Sequence, residues 1–160
     1  MTHLQEATDQ HFAWLLGEIA PPDGLTAPPD GVDGKAVLSV IRHLVANLHS
    51  AGCRSHWLIV DGIEVVGLCG FKRPPDPSGT AEIGYGVATS RRGRGFATQA
   101  VALMLDKTCD IESVLRLTAE TAEANLASQV VLEQNGFSRT GRRHDVEDGD
   151  LIQWMRTVSV

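Results

Sequence analysis

Apolar residues recur along this chain with two periods, and the change from one period to the other predicts its secondary structure. Spacings of three and four predict helices near residues 9–16 and over residues 35–49, 96–105 and 125–135. Alternation with period two and short apolar runs predict a short strand from residue 5 and strands over residues 56–60, 63–71, 80–87, 114–121, 137–145 and 151–157. We therefore expect four helices and seven strands.

Turn-forming residues separate these elements. Residues 17–34 and 73–79 are rich in proline and glycine and predict irregular connections. Asp61-Gly62, between two apolar runs, is typical of a type I′ hairpin turn. The resulting order, β-α-α-β-β-β-α-β-α-β-β, predicts a mixed α/β (α+β) fold with antiparallel hairpins and a central βαβ crossover. No repeat or change of composition divides the chain, so we expect a single domain over residues 1–160.

The composition narrows the class of protein. Of the 160 residues 42% are hydrophobic, yet no apolar run reaches the ~20 residues that span a membrane, and the N-terminus lacks a signal-peptide pattern. We therefore expect a cytoplasmic protein with no membrane partner. The net charge of −6 argues against a nucleic-acid partner. The three cysteines and six histidines show no metal-ligand spacing, so we expect no metal site.

The most informative segment joins the predicted strand over residues 80–87 to the helix that begins at residue 96. It reads Arg92-Gly93-Arg94-Gly95-Phe96-Ala97. Glycines let a backbone turn its N–H groups inward, a helix N-terminus adds unpaired N–H groups, and arginine binds phosphate oxygens, so the segment predicts a phosphate cradle. A P-loop is excluded because Phe96 stands where that motif needs lysine. A dinucleotide fold does not fit, because Thr98 would have to serve as its third small residue and because the segment lies past the midpoint of the chain.

Three local patterns identify the family that this segment resembles. Residues 92–97 match Arg-x-x-Gly-x-Ala, which resembles the pyrophosphate-binding motif of the GNAT acetyltransferase superfamily. Residues 125–137, from Asn-x-x-Ser to Gly-Phe, are similar to the family's fourth-helix segment. Glu82-Ile-Gly-Tyr85 resembles a strand of the branch that contains the Rim-type enzymes, which acetylate ribosomal-protein N-termini, and many small-molecule acetyltransferases. The resemblance implies the GNAT fold, with a mixed, mostly antiparallel seven-stranded sheet and about four helices.

The resemblance also implies that acetyl-coenzyme A (acetyl-CoA) donates an acetyl group to a primary amine, which attacks the thioester directly. In the family, the strand before the cradle splays from its neighbour, and Gly84 and Gly86 would permit a bulge there. Arg91 or Arg94 is available to the 3′-phosphate. The residues that the resemblance assigns to the cofactor are Val87, Arg92, Gly93, Arg94, Gly95, Ala97, Thr98 and Asn125.

Further residues are candidates for the transfer itself. Glu82 is expected to remove the amine proton, directly or through water. Tyr85 and His144 are expected to contact the acceptor, with His144 a second candidate for the base. Many GNAT enzymes protonate the departing thiolate with a fourth-helix tyrosine. Leu132 stands at that position here, and Ser128, one turn earlier, offers a hydroxyl instead.

Two functions remain open at this point. The leading one is an acetyl-CoA-dependent N-acetyltransferase; the alternative is a catalytically silent acyl-CoA-binding sensor, which the missing tyrosine favours. Glu82, Asn125 and Ser128 equally fit structural roles as an ion-pair partner, a helix cap and a local hydrogen-bond donor. The acceptor, a protein N-terminus or a small-molecule amine, is expected to bind to residues 17–34, the first two helices and the final hairpin. The family contains monomers and homodimers, and either is compatible with the sequence.

Overall fold

A computed structural model describes residues 1–158. The strands in this part of the chain are β1 (Thr2–Glu6), β2 (His56–Asp61), β3 (Glu64–Phe71), β4 (Thr80–Val87), β5 (Arg116–Ala122), β6 (Ser138–Asp145) and β7 (Gly149–Thr157). The α-helices are α1 (Asp9–Leu15), α2 (Lys35–Ser50), α3 (Phe96–Thr108) and α4 (Leu126–Gln134). The order is the predicted one, which confirms the mixed α/β fold class. No helix within residues 1–158 is long and apolar enough to cross a membrane.

The strands form a single open sheet that is divided in its middle. Their order is β1-β2-β3-β4-β5-β7-β6. Neighbours are antiparallel except β4 and β5, which are parallel because the α3 crossover joins them. These two strands pair only where residues 80–82 lie beside residues 116–118. Past Glu82 the ladder ends, and the two strands diverge around an opening, as the family resemblance implies.

Helices cover both faces of the sheet. On one face, α1 and α2 bury Phe12 and Leu38 against Leu68 of β3. On the other face, Met104 of α3 packs with Ile83 of β4 in a second core. Fully burying one such side chain contributes about 1.5–3 kcal/mol. Because both faces are packed, the ends of β4 and β5 are held firmly on either side of the opening.

The hairpin between β2 and β3 differs from its prediction. Asp61 pairs with Glu64, so Gly62 and Ile63 form the two-residue loop. Gly62 has φ 64°, whereas Ile63 is not among the described non-glycine residues with positive φ. A type I′ turn needs positive φ at both loop positions, while type II′ needs it only at the first, which is typically glycine. The predicted type I′ turn is therefore wrong, and the signs of φ match type II′.

Several element boundaries also differ from their predictions by one to three residues, and three of them illustrate the reasons. β1 begins at Thr2 rather than residue 5, because polar side chains weaken the apolar signal of a strand that pairs along its whole length with β2. α3 continues to Thr108, whose hydroxyl donates to the Leu105 carbonyl and lies buried. β7 begins at Gly149, because the Asp145 carboxylate accepts two backbone N–H groups of the connecting loop and closes it early.

Candidate functional site

The predicted phosphate cradle is a tight loop that leads into α3. Gly93 and Gly95 have φ 78° and 83°, a left-handed conformation that glycine adopts without strain. The backbone N–H of Gln99 donates to the Gly95 carbonyl, which closes the first turn of the helix. The N–H groups of Phe96, Ala97 and Thr98 therefore have no carbonyl acceptor within the helix. The loop presents backbone donors and the positive end of the α3 dipole to one place, which favours an anion there.

The arginines of this loop have different roles. Arg91 donates from Nε and Nη2 to the two carboxylate oxygens of Glu64, at 2.7 and 3.0 Å, and this pairing lowers the pKa of Glu64. Arg91 therefore links the loop to β3, and its guanidinium is already paired with a carboxylate. Arg92 is exposed, with Nε donating to the Val87 carbonyl at 3.2 Å, and Arg94 is exposed as well. These two side chains are the cationic groups available to a ligand.

A cavity of about 570 Å³ lies between this loop, the end of β4 and α4. We call it the cradle cavity. One side is polar, formed by the loop, and the other is apolar, formed by the exposed face of α4. Its lining residues are Tyr85, Gly86, Val87, Arg91, Arg92, Gly93, Gly95, Phe96, Ala97, Thr98, Asn125, Ala127, Ser128, Val130 and Val131. A long ligand with an anionic end and an apolar arm fits such a lining.

A second cavity, of about 350 Å³, lies on the α2 face of the sheet, and we call it the α2 cavity. The α2 helix and the loop before it form its apolar wall, and β2, β3, β4, β5 and the start of α4 form the rest. Its lining residues are Val32, Asp33, Val37, Ile41, Leu44, His56, Leu68, Lys72, Ile83, Gly84, Tyr85, Gly86, Glu120, Thr121, Ala122, Asn125 and Ser128. Residues 17–31, α1 and the final hairpin contribute no lining residue, so only part of the expected acceptor region is present here.

The two cavities meet at the opening between β4 and β5, where they share Tyr85, Gly86, Asn125 and Ser128. The Tyr85 hydroxyl lies 2.7 Å from the Ser128 Oγ and donates to the Ser128 carbonyl at 3.3 Å. Asn125 caps α4 by accepting the Ser128 N–H at 3.1 Å. Burial raises the pKa of Tyr85, although its bond to Ser128 acts in the opposite direction. The shared boundary thus carries two hydroxyl groups that stay protonated near neutral pH.

The backbone of β4 also faces the opening. Ala88 donates to Val66, and Lys72 to Glu82, so every second residue of β4 is bonded to β3. In an antiparallel ladder the intervening residues, here Tyr85 and Val87, direct their N–H groups away from β3. Residues 83–87 pair with β3 in continuous register, so the expected bulge is absent from this ladder. Divergence of β5 alone therefore exposes this edge.

Charged side chains flank the α2 cavity in a paired network. The Glu82 carboxylate forms ion pairs with the Arg73 guanidinium, at 2.8 Å, and with the Lys72 ammonium, at 3.2 Å. Glu82 lines neither cavity. Lys72 does line the α2 cavity, so it stands between that space and the Glu82 carboxylate. Glu120 also lines it and is held by the Arg143 guanidinium through both carboxylate oxygens, which lowers the pKa of Glu120.

Most of the residues singled out from the sequence converge on the cradle cavity. Arg94 belongs to the loop but does not line the cavity. His144 lies in the β6–β7 hairpin, bonded to Asp150 at 2.8 Å with 71% of its side chain exposed, and lines neither cavity. Leu132 is fully buried in the core. The residues brought together are Tyr85, Val87, Arg92, Gly93, Gly95, Ala97, Thr98, Asn125 and Ser128.

Three ionisable residues of the α2 cavity were missed from the sequence: His56, Lys72 and Glu120. Each stands in or beside a strand whose alternation predicts only which face it occupies. Strand pairing brings them together, and a single sequence does not reveal that pairing. The described residues contain no group of three histidine, cysteine or acidic side chains arranged to hold a metal ion.

Comparisons with known proteins agree with this geometry. Residues 5–138 match the family model described as an acetyltransferase (GNAT) domain. The chain is 38% identical over 96 residues to the uncharacterized N-acetyltransferase YjdG of Bacillus subtilis (strain 168), a match covering 59% of this chain and 56% of that protein. It is 29% identical over 94 residues to the ribosomal-protein-serine acetyltransferase of Escherichia coli (strain K12), covering 59% of this chain and 52% of that protein. Each of these matches thus spans about half of the relative's length.

A solved structure shows the same fold over almost the whole chain. A RimL ribosomal L7/L12 alpha-N-protein acetyltransferase, in complex with coenzyme A, superposes with a TM-score of 0.73 at 20% identity, covering 98% of this chain and 94% of that one. The predicted seven-stranded GNAT fold and the resemblance to Rim-type proteins are thereby confirmed. Since the family model matches well over half of the sequence, this chain belongs to the GNAT acetyltransferase family.

Proposed function

We propose that the protein transfers the acetyl group of acetyl-CoA to a primary amine by direct attack on the thioester. The observation that carries this proposal is the meeting of two cavities at the opening between β4 and β5, where they share four residues. A donor in the cradle cavity and an acceptor in the α2 cavity would face each other there. The two reactants need no covalent enzyme intermediate, because each reaches the other directly.

The cradle cavity suits the donor. Its diphosphate would accept hydrogen bonds from the N–H groups of residues 93–98, including those of Arg94, Gly95, Ala97 and Thr98, with Arg92 and Arg94 adding charge. The pantetheine arm would lie along the free edge of β4, opposite the apolar side chains of α4. Asn125 shapes the far end of the cavity by fixing the first turn of α4.

The chemical step balances as follows. The amine nitrogen forms a bond to the thioester carbonyl carbon, the carbon–sulfur bond breaks, the amine loses one proton, and the departing thiolate gains one. We assign the Val87 N–H to the oxygen that becomes negative during attack, since β4 directs that group into the opening. A main-chain donor in this position contributes about 3 kcal/mol of transition-state stabilisation.

Ser128 is the proposed source of the proton that the thiolate takes up. Its hydroxyl lies at the shared boundary of the cavities, and Tyr85 lies 2.7 Å away. Burial keeps the Tyr85 phenol protonated by raising its pKa. In the transfer step the Tyr85 O–H turns from the Ser128 carbonyl to the Ser128 Oγ. Ser128 gives its proton to sulfur and takes one from Tyr85, and Tyr85 regains a proton from water. This pair supplies the acid that buried Leu132 lacks.

Glu82 is the proposed acceptor of the amine proton, by way of water. Its carboxylate contacts Lys72, whose side chain lines the α2 cavity, so the path from the cavity to Glu82 is short. A lysine-like amine has a pKa of about 10.4, so only about one molecule in 2,500 is neutral at pH 7. Removing that proton therefore has a large effect on rate.

A two-part assay tests the proposal. Calorimetry first measures the binding of acetyl-CoA, ATP and NAD in separate titrations. Thiol release is then followed with a panel of amines, and the products are identified by mass spectrometry. We expect binding of acetyl-CoA alone, and an acetylated amine formed at the rate of thiol release. Binding without thiol release across the panel would support the silent sensor instead.

A further inference from the structure

The α2 cavity contains a buried histidine whose chemistry the proposed function does not use. His56, the first residue of β2, is 6% exposed, and its ring lies over Gly70 of β3. A Cβ on Gly70 would fall 2.5 Å from the His56 Nδ1, so only glycine leaves room for the ring. His56, Gly70 and Gly84 are cross-strand neighbours on β2, β3 and β4. Because two of the three are glycines, this part of the cavity wall carries few side-chain atoms besides the His56 ring.

The bond made by one ring nitrogen fixes the role of the other. Nδ1 lies 3.3 Å from the Phe71 carbonyl oxygen, and a carbonyl only accepts, so Nδ1 carries the proton. Burial lowers the pKa of His56 to about 4, so the ring is neutral at physiological pH and Nε2 is an acceptor. Nε2 has no hydrogen-bond partner within residues 1–158. It is also absent from the unpaired polar atoms that are fully enclosed in that region, so part of its surface is accessible. Because His56 lines the α2 cavity, this accessible surface faces the cavity.

The charges around this acceptor are already paired. Lys72 is bound to Glu82, and Glu120 is bound to Arg143. Asp33 is the remaining lining carboxylate, and one of its oxygens accepts the Gly34 N–H at 2.7 Å. A polyamine needs several unpaired carboxylates, because each desolvated ammonium requires a partner. The cavity supplies at most one of them.

The opposite wall is aliphatic. Val37, Ile41 and Leu44 lie three and four residues apart on α2, and they form a stripe that faces Leu68 across the cavity. The residue next to this stripe, Val40, is 67% exposed and does not line the cavity. A cavity of about 350 Å³ is at the small end of ligand sites, so it fits a compact apolar group.

We propose that the acceptor is a monoamine that carries a compact apolar side chain, seated against Val37, Ile41 and Leu44, and that His56 Nε2 accepts a hydrogen bond from one of its N–H groups. This inference rests on the proposed acetyl transfer and specifies its second substrate. His56 selects and orients the acceptor and takes no part in the transfer of the acetyl group.

The test compares three acceptors, leucinamide, glycinamide and spermidine, with the full chain at saturating acetyl-CoA. Leucinamide should have a kcat/KM at least about tenfold above that of glycinamide, because its isobutyl group is buried. Spermidine should be the poorest of the three. Ile41→Ala should reduce the leucinamide-to-glycinamide ratio by at least about threefold, whereas Val40→Ala, on the same helix but outside the cavity, should leave the ratio unchanged.

Two substitutions at His56 separate its hydrogen bond from its packing. His56→Asn keeps a donor near the Nδ1 position for Phe71 but removes the acceptor at Nε2, and it should lower kcat/KM for leucinamide at least about tenfold with an unchanged KM for acetyl-CoA. His56→Gln places an amide oxygen near Nε2 and should restore most of the loss. Thermal melting of both variants checks that they fold.

Each contrary result has its own meaning. A higher kcat/KM for spermidine than for leucinamide would overturn the acceptor class and leave acetyl transfer in place. Wild-type kinetics in His56→Asn would overturn the role of His56. Bound acetyl-CoA with no transfer to any amine would overturn the proposed function, and this inference would fall with it.

Discussion

Two glycines with the same backbone conformation allow cofactor binding to be separated from folding. Gly93, in the cradle, has φ 78°, and Gly52, in the connection between α2 and β2, has φ 76°. A Cβ built on either one meets no atom within 4 Å. Alanine in a left-handed conformation costs about 1–2 kcal/mol. Gly93→Ala and Gly52→Ala should therefore destabilise the ligand-free protein equally, lowering Tm by about 2–8 °C for a domain of this size.

The two variants should differ only when the cofactor is present. In Gly93→Ala the new methyl group stands in the cradle cavity, or the loop turns its N–H groups away to relieve the strain. Losing one charge-assisted backbone hydrogen bond costs about 1.5–3 kcal/mol, which is roughly a 10- to 150-fold rise in Kd. Gly52→Ala leaves the cradle intact, so its Kd for acetyl-CoA should equal that of the wild type.

Calorimetric titration with acetyl-CoA gives both Kd values, and differential scanning calorimetry without ligand gives both Tm values. Equal Kd values for the two variants would refute the assignment of the loop to the diphosphate. A much lower Tm for Gly93→Ala than for Gly52→Ala would instead mean that the loop is needed for folding, and a change in Kd could not then be assigned to direct contact.

Three further predictions follow from the site. Ser128→Ala should lower kcat about 100-fold with an unchanged Kd for acetyl-CoA, and Tyr85→Phe should lower it less; unchanged kcat in both variants would remove the proposed acid. Arg91→Met should lower ligand-free stability slightly by breaking its ion pair with Glu64 of β3, whereas Arg94→Met should leave stability unchanged and raise the Kd for acetyl-CoA about tenfold; the opposite pattern would reverse their roles. The pKa of His56 is about 4 in the folded protein and 6.5 in the unfolded chain, so the unfolded state gains the proton first as pH falls. The free energy of unfolding should therefore decrease between pH 6.5 and 4, by up to about 3 kcal/mol. In denaturant unfolding, His56→Asn should lose less stability over this range by that amount, and parallel curves for the two proteins would contradict the assignment.

Local sequence signals predicted the fold and the strand–loop–helix geometry of the cradle, for a physical reason. The cradle is continuous in sequence: its glycines, its arginines and the first turn of α3 are neighbours, so one short segment specifies its geometry. Asn125 and Ser128 are likewise three residues apart, and the cap that joins them is a local interaction.

The lining of the α2 cavity, where we propose that the acceptor binds, depends on contacts that are distant in sequence. Glu82 was expected at the cleft, and the alternation of β4 does place it on the α2 face of the sheet. Alternation does not reveal that Lys72 and Arg73 hold its carboxylate beside the α2 cavity. The position of His56 depends on Gly70 being its cross-strand neighbour, a pairing set by register. Single-sequence reasoning therefore stops where strand pairing decides which side chains meet.

The central claim is that acetyl-CoA occupies the cradle cavity and presents its thioester at the opening between β4 and β5. A crystal structure of the protein soaked with coenzyme A tests it most directly. We expect the diphosphate to lie on the N–H groups of residues 93–98 and the sulfur to lie within hydrogen-bond reach of the Ser128 hydroxyl. Coenzyme A bound elsewhere, or bound in the cradle with its sulfur directed away from Ser128, would contradict the account.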